Sequence, residues 1–236
     1  MRVAVVGAGM GGLTVAATLR RAGVDVVVYD QATRFGRIGA GIQMTPNAMK
    51  VLRALGLEEH LLRIAFRPAE MRNRDWDTGN LTFELTLGDG AERRYGAPYL
   101  LLHRGDLHMA LTTLVPGETV HLRKKLVDLD QPAGGVELRF ADGTSARADA
   151  VVGADGVHSR VREIIRGPEE PVFTGRVAYR TVYPAELLGG HPIDPGCKWW
   201  GPDRHIVVYH VSGGREVYFT TSVPRGLARR IMVGEG

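Results

Sequence analysis

A glycine-rich segment near the start of the chain has the spacing of a phosphate-binding loop. Gly7, Gly9 and Gly12 fit the pattern G-x-G-x-x-G, directly after the apolar run 2–6. The first glycine permits a tight turn, the second lets the backbone approach a pyrophosphate, and the third lets a helix pack closely on a strand. The N-terminus of that helix favours an anion. Asp30 follows Gly12 by 18 residues, where its carboxylate can bond ribose hydroxyls. The sequence therefore predicts a dinucleotide site.

A second candidate site consists of two ring side chains late in the chain. His205 and Tyr209 are four residues apart in a segment predicted as a strand, with Val207 between them. Side chains at even spacing on a strand share a face, so both rings can converge on one ligand. The alternative is a half-buried aromatic sheet face with satisfied polar tips. Residues 199–200, both tryptophan, are predicted to pack in the core or in the sheet, and Cys197 is predicted to be a buried or inert thiol.

The elements that position the glycine loop form a βαβ unit over residues 2–30. Valine-rich apolar runs at each end enclose a helix-forming segment, which predicts a parallel sheet. The segment 149–156 is an apolar strand and turn that we expect to return to this sheet, followed by a helix near 159–165. Helices are also predicted after Thr45-Pro46, over 58–64 and around 106–114. Antiparallel strands are predicted at 81–87, 99–103, 136–140, 177–183, 206–211 and 216–223.

Composition excludes several protein classes. With 236 residues, 44% hydrophobic and 24% charged, the chain is long enough for one large or two small globular domains. Its single cysteine excludes an intramolecular disulfide framework and a zinc cluster, which favours a reducing, cytoplasmic compartment and no metal. The uncharged stretch 3–19 contains four glycines and ends at Arg20-Arg21, so it is predicted to be neither a signal peptide nor a membrane span.

The charge balance gives little indication of a macromolecular partner. The formal net charge is +4, and most basic residues are dispersed. The densest basic run, 123–125, lies between apolar residues and is predicted to be a solvated strand edge or turn. We therefore expect neither nucleic acid nor a membrane as a partner.

Four ordered motifs resemble one enzyme family. They are the glycine loop, R-I-G-A-G-I at 37–42, H-R-G-D-L at 103–107 and G-A-D-G-V-H-S-R-V-R at 153–162. Together they resemble the single-component FAD-dependent aromatic hydroxylases, the group of salicylate and p-hydroxybenzoate hydroxylases. The resemblance implies FAD as cofactor, NADH or NADPH and O₂ as co-substrates, and a small hydroxylated aromatic or N-heteroaromatic carboxylate as substrate. A homodimer is one option for its assembly.

The same resemblance implies an α/β fold with two domains. The FAD-binding domain would be a discontinuous Rossmann-type domain with a parallel sheet, formed by residues 1–70 and 99–170. The substrate domain would carry a largely antiparallel sheet formed by residues 71–98 and 171–236.

The resemblance assigns cofactor contacts beyond the glycine loop. Arg104 would lie along the cofactor, where a guanidinium can bond phosphate or ribityl oxygens, although a surface arginine at a helix start is the plainer interpretation. Arg37 would contact the isoalloxazine side, with a solvated arginine as the alternative. Gln31 and Leu126 are further expected cofactor contacts.

The turn at Asp155-Gly156 has two interpretations. It ends a predicted buried strand, and Ser159 can cap the next helix, which makes the turn structural. In the family this motif also serves FAD and NAD(P)H. Asp155, Arg160 and Arg162 would then place a carboxylate and two cations where a second dinucleotide docks. We favour the cofactor role.

Gln43 departs from the family pattern. It stands where members that act on a hydroxypyridine carboxylate have a histidine base, and a glutamine side chain cannot accept a proton at neutral pH. The reaction class does not depend on this residue, whereas the identity of the substrate ring does. We include Gln43 with His205 and Tyr209 as candidate catalytic residues, and His205 becomes the next candidate base.

The resemblance extends to about Pro224. The Gly-Asp motif, proline and helix that follow the substrate sheet in the family have no counterpart after it, so we expect an N-terminal portion that binds FAD weakly or not at all and does not hydroxylate by itself. Two rival interpretations stay open. One is another FAD oxidoreductase of similar fold, and the other is a non-catalytic nucleotide-binding fragment.

Overall fold

The computed structural model describes residues 1–37 and 39–225. In these ranges the helices are α1 (Met10–Arg21), α2 (Pro46–Ala54), α3 (Glu58–Ile64), α4 (Gly88–Tyr95), α5 (Arg104–Thr112) and α6 (Arg160–Arg166). The strands are β1 (Arg2–Val6), β2 (Asp25–Tyr29), β3 (Gly41–Met44), β4 (Glu70–Asp75), β5 (Leu81–Thr86), β6 (Leu100–His103), β7 (Val120–His121), β8 (Leu126–Asp130), β9 (Val136–Phe140), β10 (Ser145–Ala148), β11 (Ala150–Gly153), β12 (Arg176–Pro184), β13 (Gly196–Trp200), β14 (His205–Val211) and β15 (Glu216–Pro224). Among the described residues, none of the helices is both long and apolar enough to cross a membrane.

The first compact unit comprises Met1–Arg37 and Leu107–Val172. Its parallel sheet has the strand order β11-β1-β2-β7. All but the first residue of β1 and of β2 are buried, as expected for valine-rich strands covered on both faces. β11 pairs in parallel with β1 from Val3 opposite Ala150. The predicted βαβ unit and the predicted return of residues 149–156 to its sheet are both confirmed.

A three-stranded antiparallel sheet, β10-β9-β8, completes this unit. Leu138 and Phe140 of β9 share a hydrophobic cluster with Tyr29 of β2 and Val161 of α6. α6 is capped as the sequence indicated, because the hydroxyl of Ser159 accepts the backbone N–H of Arg162 at 3.0 Å.

The second unit consists of the described residues within 38–106 and 173–225. Its six-stranded sheet has the order β12-β15-β14-β13-β4-β5, and its second sheet pairs β3 with β6. The predicted strands of this unit are confirmed within one or two residues. Sequence periodicity missed β3, β4, β13 and α4. In β4 (E-M-R-N-R-D) only Met71 is apolar and buried, and α4 (G-D-G-A-E-R-R-Y) buries only Ala91.

Polar pairing explains why β4 is a strand despite its composition. Arg72 and Arg74 both donate to the carboxylate of Asp194, at 2.7 Å and 2.8 Å for the shortest bond of each. The Asp194 side chain is only 15% exposed. These charge-assisted bonds tie the loop before β13 to one face of the sheet. The hydrogen bond from Arg74, followed by that from Arg72, holds the pKa of Asp194 below its usual range.

We expect Asp194→Asn to destabilise this unit by about 1.5–3 kcal/mol at neutral pH, because it weakens hydrogen bonds between charged groups in a partly buried place. The pKa of Asp194 is lower in the folded chain, so its stabilisation is present above the unfolded pKa and is lost as pH falls through the folded value. The difference between variant and wild type should therefore shrink below about pH 4. Urea unfolding at several pH values measures it.

Asp203→Asn is the matched control for this experiment. Asp203 also pairs with an arginine, Arg204, but both side chains are about half exposed at 48%. Its replacement should leave the unfolding midpoint almost unchanged. Equal effects of the two variants would contradict the stabilising role of Asp194.

Candidate functional site

A cavity of about 300 Å³ opens at the glycine loop of the first unit. It brings together seven of the predicted cofactor residues: Gly7, Gly9, Asp30, Gln31, Leu126, Asp155 and Gly156. Arg160, which the sequence analysis placed at a dinucleotide together with Asp155, also lines this cavity. Four further lining residues had no predicted role there: Tyr29, Lys124, Lys125 and His158. The cavity lies at the carboxyl ends of the parallel strands β1, β2 and β11, the edge where open α/β sheets bind ligands.

The three fingerprint glycines meet different surroundings. A Cβ on Gly7 would lie 2.3 Å from the carbonyl oxygen of Ala154, and Gly7 has φ +104°. A Cβ on Gly12 would lie 1.8 Å from the carbonyl oxygen of Gly7. A Cβ on Gly9 would meet no atom within 4 Å. Gly7 and Gly12 are therefore required by the fold, whereas Gly9 leaves open space beside the N-terminus of α1, which fits the pyrophosphate of a dinucleotide.

Asp30 holds the glycine loop as well as facing the cavity. Its carboxylate accepts the backbone N–H of Ala8 at 2.5 Å and that of Ala32 at 2.7 Å. Each carboxylate oxygen has a second acceptor position for a ribose hydroxyl. The sequence indicated a ligand contact at this position and did not indicate the bond to the loop.

His108 is a further anchor that the sequence did not reveal. Its Nε2 lies 2.8 Å from the carbonyl oxygen of Ala8, and the ring of Phe35 packs edge-on at 5.1 Å between centroids. Both backbone polar groups of Ala8 are therefore held: Asp30 accepts its N–H, and His108 contacts its carbonyl oxygen. A single histidine on α5, 100 residues from the loop, has no local sequence pattern that indicates this contact.

The basic run 123–125 is the turn that the sequence predicted, with Arg123 and Lys125 exposed, and its backbone is also attached to the cavity. The backbone N–H groups of Arg123 and Lys124 donate to the carbonyls of Ala32 and Asp30, at 2.9 Å and 2.8 Å. This attachment to the end of β2 places Lys124 and Lys125 at the cavity. Lys124 pairs with Asp142 at 2.6 Å. The two ammonium groups make this edge favourable for phosphate.

The Asp155 turn is held by helix capping. Asp155 accepts the Ser159 hydroxyl at 2.5 Å and the Val161 N–H at 3.1 Å. Arg160 donates to the Val127 carbonyl and pairs with Glu163, and Arg162 donates to the Val157 carbonyl. The turn therefore has the predicted structural role as a helix cap. It also places Asp155 and Arg160 in the lining of the cavity.

Arg37 and Arg104 do not line this cavity. Both side chains are exposed. Arg104 begins α5 in the second unit, where its N–H donates to the Ala40 carbonyl at 2.8 Å, and a Cβ on Gly39 would lie 3.1 Å from its Cβ. The buried ring of His103 caps α5 by accepting the Gly105 N–H at 3.1 Å. The R-I-G-A-G-I and H-R-G-D-L motifs thus meet through the pairing of β3 with β6.

Tyr209 and Gln43 belong to one cluster in the second unit. Tyr209 is 2% exposed and packs with Tyr99, Leu101 and Tyr218. Gln43 accepts the hydroxyl of Tyr99 at 2.7 Å. Burial raises the pKa of Tyr99 to about 12, and burial also raises the pKa of Tyr209. Both hydroxyls therefore remain protonated donors at neutral pH, and the bond from Tyr99 leaves the amide N–H groups of Gln43 for another partner.

His205 shares a sheet face with Tyr209, as the spacing predicted, but it has different neighbours. Its ring packs against Trp200 at 5.0 Å between centroids. The two residues lie four positions apart on β14, which separates their Cα atoms by about 13 Å. Burial, followed by the charges of Arg176 and Lys198, lowers the pKa of His205, so its imidazole stays neutral to lower pH than a free histidine.

The neighbouring β13 residues differ in exposure. Cys197 is 1% exposed, and burial, then Asp194, raises its pKa to about 11. The prediction of a buried thiol is thereby confirmed, and its raised pKa keeps it protonated at neutral pH. Trp199 is partly buried. Trp200 is 48% exposed and packs against His205 of the neighbouring strand, so of the two predicted places, core or sheet, the structure gives it the sheet.

Comparisons with known proteins agree with this geometry. The family model described as "FAD binding domain" matches residues 1–175. The chain is 46% identical over 225 residues to 6-hydroxynicotinate 3-monooxygenase of Bordetella bronchiseptica, covering 94% of this chain and 59% of that protein. It is 44% identical over 222 residues to 3-amino-4-hydroxybenzoate 2-monooxygenase of Streptomyces cremeus, covering 93% of this chain and 56% of that protein.

A solved structure shows the same fold. The crystal structure of Klebsiella pneumoniae HpxO complexed with FAD and uric acid superposes with a TM-score of 0.85 at 28% identity, covering 95% of this chain and 56% of that one. The chain thus spans somewhat more than half the length of these relatives. The predicted α/β fold with a parallel sheet and a second, largely antiparallel sheet is confirmed, as is the resemblance to FAD-dependent aromatic hydroxylases. Because the family model covers most of the chain and its glycine loop fits a pyrophosphate, this chain belongs to the FAD-binding domain family.

Proposed function

We propose that this FAD-binding fold serves the hydroxylation of an aromatic or N-heteroaromatic hydroxy-carboxylate, with NADH or NADPH as reductant and O₂ as co-substrate. The main support is the similarity to two ring hydroxylases along more than nine-tenths of the chain, over both the glycine-loop unit and the antiparallel sheet. When bound, FAD supplies the electron transfer between reduced nicotinamide and O₂. We further propose that residues 1–70 and 99–170 bind the cofactor, and that residues 71–98 and 171–236 bind the substrate.

The residues around the cavity can be matched to individual parts of FAD. The open space at Gly9 would take the pyrophosphate, and Asp30 would accept the ribose hydroxyls while it holds the loop through Ala8. Gln31 and Leu126 line the same cavity and would contact the adenosine end of FAD. Arg37 and Arg104 are proposed for the remainder of the cofactor.

We assign proton transfer to His205 on β14, and hydrogen-bond donation to Gln43 on β3 and Tyr209 on β14. His205 has a lowered pKa, so its neutral imidazole is available near neutral pH to accept the proton of a ring hydroxyl. Gln43, with its oxygen held by Tyr99, can donate an amide N–H to the resulting ring oxygen. Tyr209 offers a protonated hydroxyl. These three residues therefore supply one base and two donors.

The test is substrate-dependent oxidation of NADH or NADPH by a full-length protein that contains this chain. A panel of hydroxybenzoates and hydroxypyridine carboxylates is assayed for nicotinamide oxidation, O₂ uptake and product mass. We expect at least one acid to stimulate both rates and to gain one oxygen atom. Nicotinamide oxidation with hydrogen peroxide as the sole product would indicate a different oxidoreductase, and FAD binding without any turnover would indicate a non-catalytic nucleotide-binding protein.

The hydrogen bond between Tyr99 and Gln43 gives a separate prediction. Tyr99→Phe removes one hydrogen bond, which is worth about 1 kcal/mol, and frees the Gln43 amide to rotate. We expect a several-fold higher KM for the substrate with unchanged FAD content. Gln43→Leu should raise KM similarly, and the double variant should be no worse than Gln43→Leu alone. Additive effects in steady-state kinetics would show that Tyr99 does not act through Gln43.

A further inference from the structure

A row of four directly opposed residues, with a cation at each end, crosses the six-stranded sheet between His205 and Tyr209. Lys198 on β13 lies opposite Val207 on β14, Val207 lies opposite Thr220 on β15, and Thr220 lies opposite Arg180 on β12. Directly opposed residues of antiparallel strands point to the same face of a sheet. All four side chains therefore project from the face that carries His205 and Tyr209.

The half of this face that carries the row is accessible. Tyr209 is buried against Tyr99 and Leu101, on the β6 side of the cluster. By contrast, Arg180 is exposed, and Lys198 and Thr220 are partly exposed. A ligand on this half would have the tyrosine cluster at one edge and the His205–Trp200 pair at the other.

Lys198 and Arg180 differ from the arginines of the opposite face. On that face Arg72 and Arg74 share the carboxylate of Asp194. Among the described residues, neither Lys198 nor Arg180 has a carboxylate within 4 Å, the limit for an ion pair. Both act electrostatically on the neighbouring rings, since Lys198 contributes to the lowered pKa of His205, and Arg180 opposes the rise in that of Tyr209.

The spacing of the two cations suits a small anion between them. Their Cα atoms are three inter-strand steps apart, about 14 Å, and both side chains are long enough to bend towards Val207 and Thr220, which lie between them. A guanidinium can bond a carboxylate through two parallel N–H groups, and an ammonium adds a mobile point charge.

We propose that Lys198 and Arg180 hold the carboxylate of the aromatic substrate over Thr220, so that this sheet face selects ring acids over neutral ring compounds. The proposal rests on the proposed function and specifies which chemical group of the substrate the face recognises. Held this way, the ring lies between His205 and Tyr209.

The test compares an acid with its neutral amide on a purified full-length protein that contains this chain. The probes are 6-hydroxynicotinate and 6-hydroxynicotinamide, and binding is measured by calorimetric titration. We expect Arg180→Gln and Lys198→Gln each to weaken acid binding about tenfold and to leave amide binding unchanged. Arg180→Lys, which keeps the charge, should retain part of the acid preference.

Arg93→Gln is the matched control, since Arg93 is an exposed cation on α4 of the same unit and has no ion pair among the described residues. It should change neither affinity. Equal losses for acid and amide, or no loss for the acid, would overturn the carboxylate assignment while ring binding stands. Failure of the unmodified full-length protein to bind either probe or any acid of the hydroxybenzoate and hydroxypyridine carboxylate panel would overturn the proposed function and this assignment with it. Thermal melting of each variant checks that the fold is intact.

Discussion

Replacing Gly9 with valine should abolish FAD binding while leaving the fold intact. Gly9 has φ −71° and ψ −178°, a conformation that any L-residue adopts. Its Cβ would enter the open space beside α1 and contact no protein atom within 4 Å. The valine would instead occupy the volume required by the pyrophosphate. We expect FAD affinity to fall by at least about 100-fold, equivalent to about 2.8 kcal/mol, measured by flavin fluorescence quenching with a full-length protein that contains this chain.

Gly11→Val is the matched control because it places the same side chain two residues away. A Cβ on Gly11 also meets no atom within 4 Å, and Gly11 is outside the G-x-G-x-x-G positions. This variant should retain most of the FAD affinity of the wild type. Unchanged affinity in Gly9→Val, or equal losses in both variants, would show that the pyrophosphate does not lie at Gly9.

Gly12→Ala should destabilise the first unit whether or not FAD is present. The added methyl group would lie 1.8 Å from the Gly7 carbonyl oxygen and 3.3 Å from the Ala154 Cβ. Backbone atoms cannot rotate away from such a contact, so α1 must move off β1. Overpacking of this kind costs about 1–3 kcal/mol or more. We expect a lower midpoint in urea unfolding of the chain without FAD.

Gly11→Ala provides a control of opposite sign on the same helix. Its methyl group points into open space, and alanine stabilises a helix interior by up to about 1 kcal/mol relative to glycine. The midpoint should stay the same or rise. A Gly12→Ala midpoint equal to that of wild type would refute the close packing of α1 on the glycine loop.

The asymmetry between these glycines shows what motif spacing can predict. The loop, the strand before it, the helix after it and Asp30 all follow from residues within a single βαβ unit. Backbone geometry fixes their relation, because only glycine fits at Gly7 and Gly12. The spacing does not distinguish glycines needed by the fold from the one that leaves room for a ligand. That distinction requires the position of Ala154, which reaches Gly7 through the pairing of β11 with β1.

Misinterpreted segments have a common physical cause. β4 and α4 bury one side chain each, so hydrophobic periodicity is nearly absent from them. Their structure depends on partners far along the chain, such as Asp194 for the arginines of β4. The run 123–125 is an exposed turn as predicted, but its place at the cavity depends on backbone bonds to residues 30–32, which no local pattern indicates.

The sequence by itself determined the Rossmann-type start, the dinucleotide loop with Asp30, the antiparallel strands and the shared face of His205 and Tyr209. These features depend on local spacing, which backbone geometry translates directly into turns and faces. Only the tertiary structure decided that Tyr99 holds Gln43, that His108 holds the glycine loop, and that Lys198 and Arg180 flank one row of the sheet. Each of these contacts depends on strand register or helix packing between distant segments, which burial of the whole unit selects and no local pattern encodes.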